Sequence, residues 1–245
     1  SKVTLKYHGL KEFRRGGNNL FLPPHEANIA EQIEHTINGG SLAYDLFNPN
    51  GKGHFSAYAS FQNVDRKSYY GGLGELASAA EGQKALNEAY KLGLSLDMSE
   101  EDAAKLPDDQ QEILANAQAY DKAQRAYNVT HNINYIAGAQ YVHNFDRLLF
   151  MPADLTVGAE YSFDRIKDRS LGYNSLLEQR VRISSAFVQN EWKNTHWGLL
   201  LGGRLDKHNL ISHLIFSPRV NLRYNPTPNA NFRLPADGAT PIIMI

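Results

Sequence analysis

The 245-residue sequence contains no cysteine, so disulfide crosslinks and thiolate chemistry are both excluded. Nothing in it approaches the ~18 consecutive apolar residues of a membrane-spanning helix. A helical span is therefore ruled out, but a spanning strand is not, because it needs only ~9–11 residues and turns half of them toward a polar interior. The mean hydropathy of −0.46 is compatible with that second case. A formal charge of −1 and a pI near 6.7 give no global field that would favour nucleic acid. There is no glycine-rich phosphate loop and no aromatic–basic stripe. Ser1-Lys-Val-Thr does not read as a basic–apolar–small leader, so either one was removed or the sequence begins internally; Lys2–Tyr7 already reads as a strand, which favours the second.

What the sequence does contain is alternation. From Leu155 to Phe163, the residues Leu155, Val157, Ala159, Tyr161 and Phe163 are apolar, and Gly158, Glu160 and Ser162 fall between them. Val181–Trp192 sets Ala186 and Val188 against Gln189 and Glu191, and Trp197–Leu205 aligns Leu199, Leu201 and Leu205. Period two over this length makes a strand with one apolar and one polar or small-residue face. The two tryptophans flank the tight Lys193–His196 connector, an aromatic pair at one edge of an apolar band, as a membrane–water interface selects.

The same pattern predicts nine strands: Lys2–Tyr7, Asn38–Phe47, His54–Val64, Asn132–His143, Asp154–Asp164, Val181–Lys193, Trp197–Asp206, Phe216–Asn225 and Asn229–Leu234. By those bounds the connectors run roughly 30, 6, 67, 10, 16, 3, 9 and 3 residues, long and short in turn. The fold class this implies is all-β, an antiparallel up-and-down meander from a transmembrane β-barrel, incomplete at about nine strands, with tight turns at one end and long loops at the other.

Ala186-Phe-Val-Gln-Asn-Glu-Trp-Lys193, followed by Trp197-Gly-Leu-Leu-Leu-Gly-Gly-Arg-Leu-Asp206, resembles paired barrel strands of TonB-dependent outer-membrane receptors of the cobalamin and siderophore type. Ser217-Pro-Arg-Val-Asn-Leu-Arg-Tyr-Asn-Pro226 resembles the strand that follows. The resemblance covers roughly positions 1–70 and 128–233. It implies a receptor in the outer membrane of a Gram-negative bacterium that binds and imports a scarce metal complex, with no enzymatic activity and no cofactor. The implied partners are outer-membrane lipid, a metal-chelate or corrinoid ligand, and TonB acting through a plug domain that these residues do not include. By the same resemblance the chain is an interior segment of a larger barrel. A surface adhesin or a soluble β-sandwich binding protein is the competing reading of the alternation.

Four regions are expected: strands and a first long loop over 1–70, a helical insert over 71–127, strands over 128–234, and an atypical tail over 235–245. In the insert the period changes to helical, with Leu86, Ala89 and Tyr90 on one face and Ile113, Leu114, Ala117 and Tyr120 on another. Ser99-Glu-Glu-Asp102 and Pro107-Asp108 read as helix starts. The insert holds eleven acidic and five basic residues, an acidic hairpin set into a mildly basic framework. In the tail, Pro235 and Pro241 interrupt the expected strand continuation.

Candidate ligand contacts at the strand tips are Arg66, Tyr69, Tyr70, Arg165 and Tyr173, with His208 and His213 nearby. Such a mixture can stack on and charge-pair with a bulky anion; the same residue types also populate outer-membrane loops and girdles whatever the ligand. Arg204 and Asp206 share the face opposite Leu201 and Leu205 and should point into the lumen and pair, since charges facing lipid at mid-depth cost ~2–4 kcal/mol. His25-Glu26 lacks the second histidine of a zinc-peptidase motif, because position 29 is Ile. Ser212, His213 and His196 belong to no motif that fixes a catalytic set.

Overall fold

Every strand of this protein divides its side chains between two environments, and the division is set by unbroken pairing. The computed structural model describes residues 1–227, 230–237 and 240–242. It contains β1 (Lys2–Gly17), β2 (Ala30–Phe47), β3 (Gly53–Gly71), β4 (Tyr127–Leu148), β5 (Met151–Ser170), β6 (Ser175–Lys193), β7 (Trp197–His208), β8 (Leu214–Thr227), β9 (Ala230–Asp237) and β10 (Thr240–Ile242). All pairs are antiparallel, in the order β1-β2-β3-β4-β5-β6-β7-β8, and both β9 and β10 pair with β8. The sheet is open: among the described residues β1 has no partner but β2.

Register carries one face across the whole sheet. Leu5 pairs Leu42, Leu42 pairs Ala59, and Ala59 pairs Ala137. Farther along, Ala139 pairs Ala159, Ala159 pairs Ala186, Ala186 pairs Leu205 and Leu205 pairs Phe216. This face is uncovered, with Leu5 77%, Val188 51% and Leu201 42% exposed. Val157 and Leu205 are exposed with them, while Leu155 and Leu199 are half-buried on the same side. A soluble protein does not leave so large an apolar sheet face open to water. With no second layer over it among the described residues, the β-sandwich alternative does not describe them.

Two aromatic levels bound the face. At the tight-turn end Phe150 stacks on Trp192 at 5.5 Å and Trp197 on Tyr224 at 4.2 Å. At the other end Tyr135 stacks on Phe163 at 4.7 Å. Trp192 pairs Ala153, so on β5 the two levels lie ten residues apart. That is ~33 Å of strand, or about 25 Å along the normal at a tilt of ~40°, the height of an outer-membrane apolar band. The bilayer-spanning parts of β1 to β6 are thus 2–7, 40–47, 53–61, 135–145, 153–163 and 182–192, and these strands continue well beyond them.

This overshoot corrects the expected boundaries. β1 ends at Gly17 rather than Tyr7, β3 at Gly71 rather than Val64, and β5 and β6 run on to a four-residue tip over 171–174. Above the bilayer both faces of a strand meet water, so apolar alternation fades while backbone pairing continues. The long connectors are therefore fewer than the alternation implied: residues 18–29 and 72–126 are long, whereas 171–174 and 209–213 are short. The tail is corrected too. β9 extends past Leu234, and Asp237 pairs Arg219 while Thr240 pairs Phe216, one common register. Pro235 and Pro241 sit on an edge strand, where a missing N–H is tolerated.

The connection from β3 to β4 holds α1 (Ala79–Lys91), α2 (Glu100–Ala103) and α3 (Asp108–Arg125). Ser99 caps α2 by accepting from the Asp102 N–H, Pro107 precedes α3, and Ser78 caps α1 by accepting from the Glu81 N–H. The hairpin has its own small core of Ala85, Ala89, Leu94, Leu114 and Ala117. Gly82 is required within it, because a Cβ there would stand 2.6 Å from the Tyr120 ring. It is tied to β3 by the Tyr69 hydroxyl, which donates to the Ala123 carbonyl at 3.0 Å, and the segment leading into it is tied to the 18–29 connector, where the Leu73 N–H donates to the Ala27 carbonyl at 2.8 Å and the Asn28 amide to the Gly74 and Leu76 carbonyls.

Candidate functional site

The face opposite the apolar one is polar, and its groups gather at two depths. At mid-depth the register row Tyr58, Gly138, Glu160, Ser185, Asp206 crosses five strands. Arg204 reaches into this row from one position below. Its Nη2 donates to Glu160 Oε1 at 3.0 Å and to Ser185 Oγ at 2.8 Å, and its Nε to Asp206 Oδ1 at 2.8 Å. The Ser185 hydroxyl also donates to Asp206, and the Tyr58 hydroxyl to Glu160. One guanidinium thus joins two carboxylates, and Tyr58, Glu160, Ser185, Arg204 and Asp206 each bond to another of the five. Charge-assisted bonds of this kind hold each other in place on a surface that would otherwise be mobile in water.

The second group lies eight residues farther along β3, about 25 Å of strand from the first. Here Arg66 donates from Nη2 to the Tyr70 hydroxyl at 3.2 Å, both on the polar face. Beside them the Thr130 hydroxyl donates to Asp168, and Asn132 and Asn134 donate to Asp164 at 3.4 and 3.3 Å. The Arg66 Nε is buried and has no hydrogen-bond partner among the described residues. A desolvated guanidinium N–H without an acceptor is costly, and an anionic ligand atom would satisfy it.

An uncovered apolar band of outer-membrane height, backed by a polar face, is the cross-section of a barrel wall. Residues 27–234 match the family model described as TonB dependent receptor-like, beta-barrel. The chain belongs to the TonB-dependent receptor β-barrel family. No curated protein matches the sequence. Membership places the chain in the outer membrane of a Gram-negative cell as part of a receptor concerned with transport rather than catalysis, with its polar face toward the lumen.

Within that receptor wall the residues singled out from sequence are dispersed. Arg204 and Asp206 are luminal and paired to each other. Arg66 and Tyr70 are luminal and bonded, far above them. Tyr69 pairs Tyr127 on the opposite face, where it is 1% exposed and anchors the hairpin. Arg165 likewise lies on the outer face, bound to Glu178 at 2.9 Å. Tyr173 stands at the β5–β6 tip, 88% exposed. His208 accepts from the Leu210 N–H, and His25 bonds the Tyr127 hydroxyl at 2.8 Å. Strand parity separates Arg165 and Tyr69 from the lumen, although both stand near the strand tips with Arg66 and Tyr70.

Tyr58, Glu160 and Ser185 were missed as partners of Arg204. A signal existed in the sequence, since each is the polar member of an alternating run, but pairing them needs register. Thr130, Asp164 and Asp168 were missed because they lie beyond the apolar part of their strands.

Proposed function

We propose that this barrel wall belongs to a receptor for a scarce, bulky anionic metal complex, a ferric siderophore or a corrinoid, taken up from outside and passed through the lumen. The helical-hairpin end faces the exterior and the tight turns face the periplasm. Arg66 and Tyr70 form the first contact, the guanidinium meeting a carboxylate or catecholate oxygen and the phenol stacking or donating. The observation that supports this most directly is the unpartnered Arg66 Nε–H beside an exposed phenol on the luminal face. The mid-depth row around Arg204 supports a second part of the reading: a rigid polar lining against which a plug domain seats, through which TonB would act.

Equilibrium binding to the full chain in outer-membrane vesicles tests the assignment, with a ferric tricatecholate, a ferric trihydroxamate and cyanocobalamin as probes. Saturable binding of one probe, weakened at least tenfold by Arg66→Ala and unchanged by Arg165→Ala, is the expected outcome. Saturable binding of none, or equal loss in both variants, removes the reading.

A further inference from the structure

Asn190 is a polar residue on the apolar face. Strand parity places it there, between Leu155 of β5 and Leu201 of β7 in register, two residues inward from the Trp192 aromatic level. Two residues of a strand tilted ~40° rise about 5 Å along the normal, so this side chain lies within the hydrocarbon. It is 8% exposed, and its Oδ1 and Nδ2 are both buried without a hydrogen-bond partner among the described residues. No water in the hydrocarbon can make up that loss, which is why unpaired polar groups at this depth are costly and uncommon.

The residue borders a groove of about 600 Å³ on the lipid side of β6 and β7. Ala186 and Gly203 are the small residues at its floor, and Val188, Trp192 and Leu201 stand along it. The Phe216 ring lies against Gly203 and closes one side. Gln189, the other polar side chain of this stretch, turns to the lumen by parity, so Asn190 alone brings an amide to the groove. A low floor beside exposed branched side chains lets a second surface of the same shape approach closely, as small residues do between membrane segments.

We propose that this groove is a contact between two copies of the chain within the outer membrane, centred on Asn190. The occupant follows from what the amide lacks, which is an acceptor and a donor together. Acyl chains supply neither, and lipid ester carbonyls only accept and lie nearer the headgroups. The asparagine of a second copy supplies both. Two copies span one bilayer in the same sense, so a two-fold axis along the membrane normal brings both Asn190 side chains to one depth and makes the same patch serve on each side. Each amide then turns about its side-chain torsions into the groove, its nitrogen donating to the other copy's oxygen and its oxygen accepting in return. The contact rests on the membrane reading above and lies on the side of the wall away from the ligand path.

Because the sequence holds no cysteine, an introduced one reports contact by itself. Leu201→Cys, opposite Asn190 in register, is oxidised with copper phenanthroline in the full chain in outer-membrane vesicles, beside Leu42→Cys on the same face four strands away. The expected result is a disulfide-linked dimer from Leu201→Cys and none from Leu42→Cys. Energy transfer between labelled copies, followed as protein is diluted into lipid, should show association about tenfold weaker in Asn190→Leu and largely recovered in Asn190→Gln. Leucine suits lipid, so Asn190→Leu should keep the parent's β circular dichroism; loss of that signal would show a role in the fold and overturn the proposal. Equal crosslinking at both cysteines, or association unchanged by Asn190→Leu, overturns it and leaves the membrane reading intact. Absence of energy transfer, with a different membrane protein co-purifying only while Asn190 is present, overturns the second-copy assignment. Failure of the unaltered chain to enter vesicles overturns both readings.

Discussion

The Tyr58 hydroxyl donates to the Glu160 carboxylate by passing over Gly138, the residue that separates them in the same register row. A Cβ at position 138 would stand 2.8 Å from the Tyr58 Cζ, closer than such contacts allow. The glycine is therefore the gap through which one strand reaches the next but one.

Gly138→Ala should destabilise the sheet by ~1–3 kcal/mol, the usual cost of forcing atoms into an occupied space. Denaturant midpoints in detergent measure it. Combined with Tyr58→Ala, the glycine substitution should cost far less, because the ring it displaces is gone. Additive effects would show that Tyr58 does not lie over Gly138.

Arg204→Ala leaves Glu160 and Asp206 as neighbouring carboxylates with no cation between them. In a wet lumen the loss should be ~1–2 kcal/mol, with solvent screening keeping it below the value for a buried pair. Arg204→Lys should recover less than half of that, because an ammonium cannot reproduce the fork that reaches Glu160, Ser185 and Asp206 together. A lysine variant as stable as the parent would mean that charge alone matters here.

Tyr69 lies eight residues beyond Phe61 and outside the bilayer. Burial, followed by the neighbouring Tyr127, pushes its hydroxyl up to about 12 from the ordinary 10.0. The folded state thus prefers the protonated phenol. Its stabilising effect is complete below pH 10 and fades as pH rises toward about 12. Spin-label distances between α3 and β3 should broaden across that window in the parent chain. Tyr69→Phe should reduce the pH dependence to the part that the half-buried Tyr127 contributes, and loosen the hairpin by ~0.5–1.5 kcal/mol at neutral pH. A parent chain unchanged up to pH 12 would contradict the role of this hydroxyl as anchor.

Deleting residues 74–124 should abolish most of the helical circular dichroism and leave the β signal, because Ala85, Ala89, Leu94, Leu114 and Ala117 form a core that includes no strand residue. Loss of the β signal as well would show that β3 and β4 depend on the hairpin for pairing.

How much of this was legible in the sequence varied with depth. In the bilayer, Val157, Ala159, Leu201 and Leu205 reveal their face because one side of the strand meets lipid and the other does not. Above the aromatic level that contrast disappears, so Arg165 and Tyr69 looked like loop residues and their outward direction could not be read. The Arg204–Asp206 pair was visible, since both sit two apart on one strand. Their partners Tyr58 and Glu160 were not, because alternation says which face a residue takes but not which residue stands beside it. Ser99 and Pro107 announced helices through local capping chemistry, which depends on neighbours in sequence alone.

The unbroken register of β3 and β4 makes the structure above the membrane sensitive to parity. Two residues added to each strand after Phe61 and before Tyr135 would lift the helical hairpin by about 5 Å at a tilt of ~40° and leave every side chain facing as before. One residue added to each would turn Arg66 and Tyr70 toward the outside and Lys67 into the lumen while the spanning portion stayed as it is. Insertions in this part of the chain are thus tolerated or ruinous according to whether their length is even or odd, and much less according to what the inserted residues are.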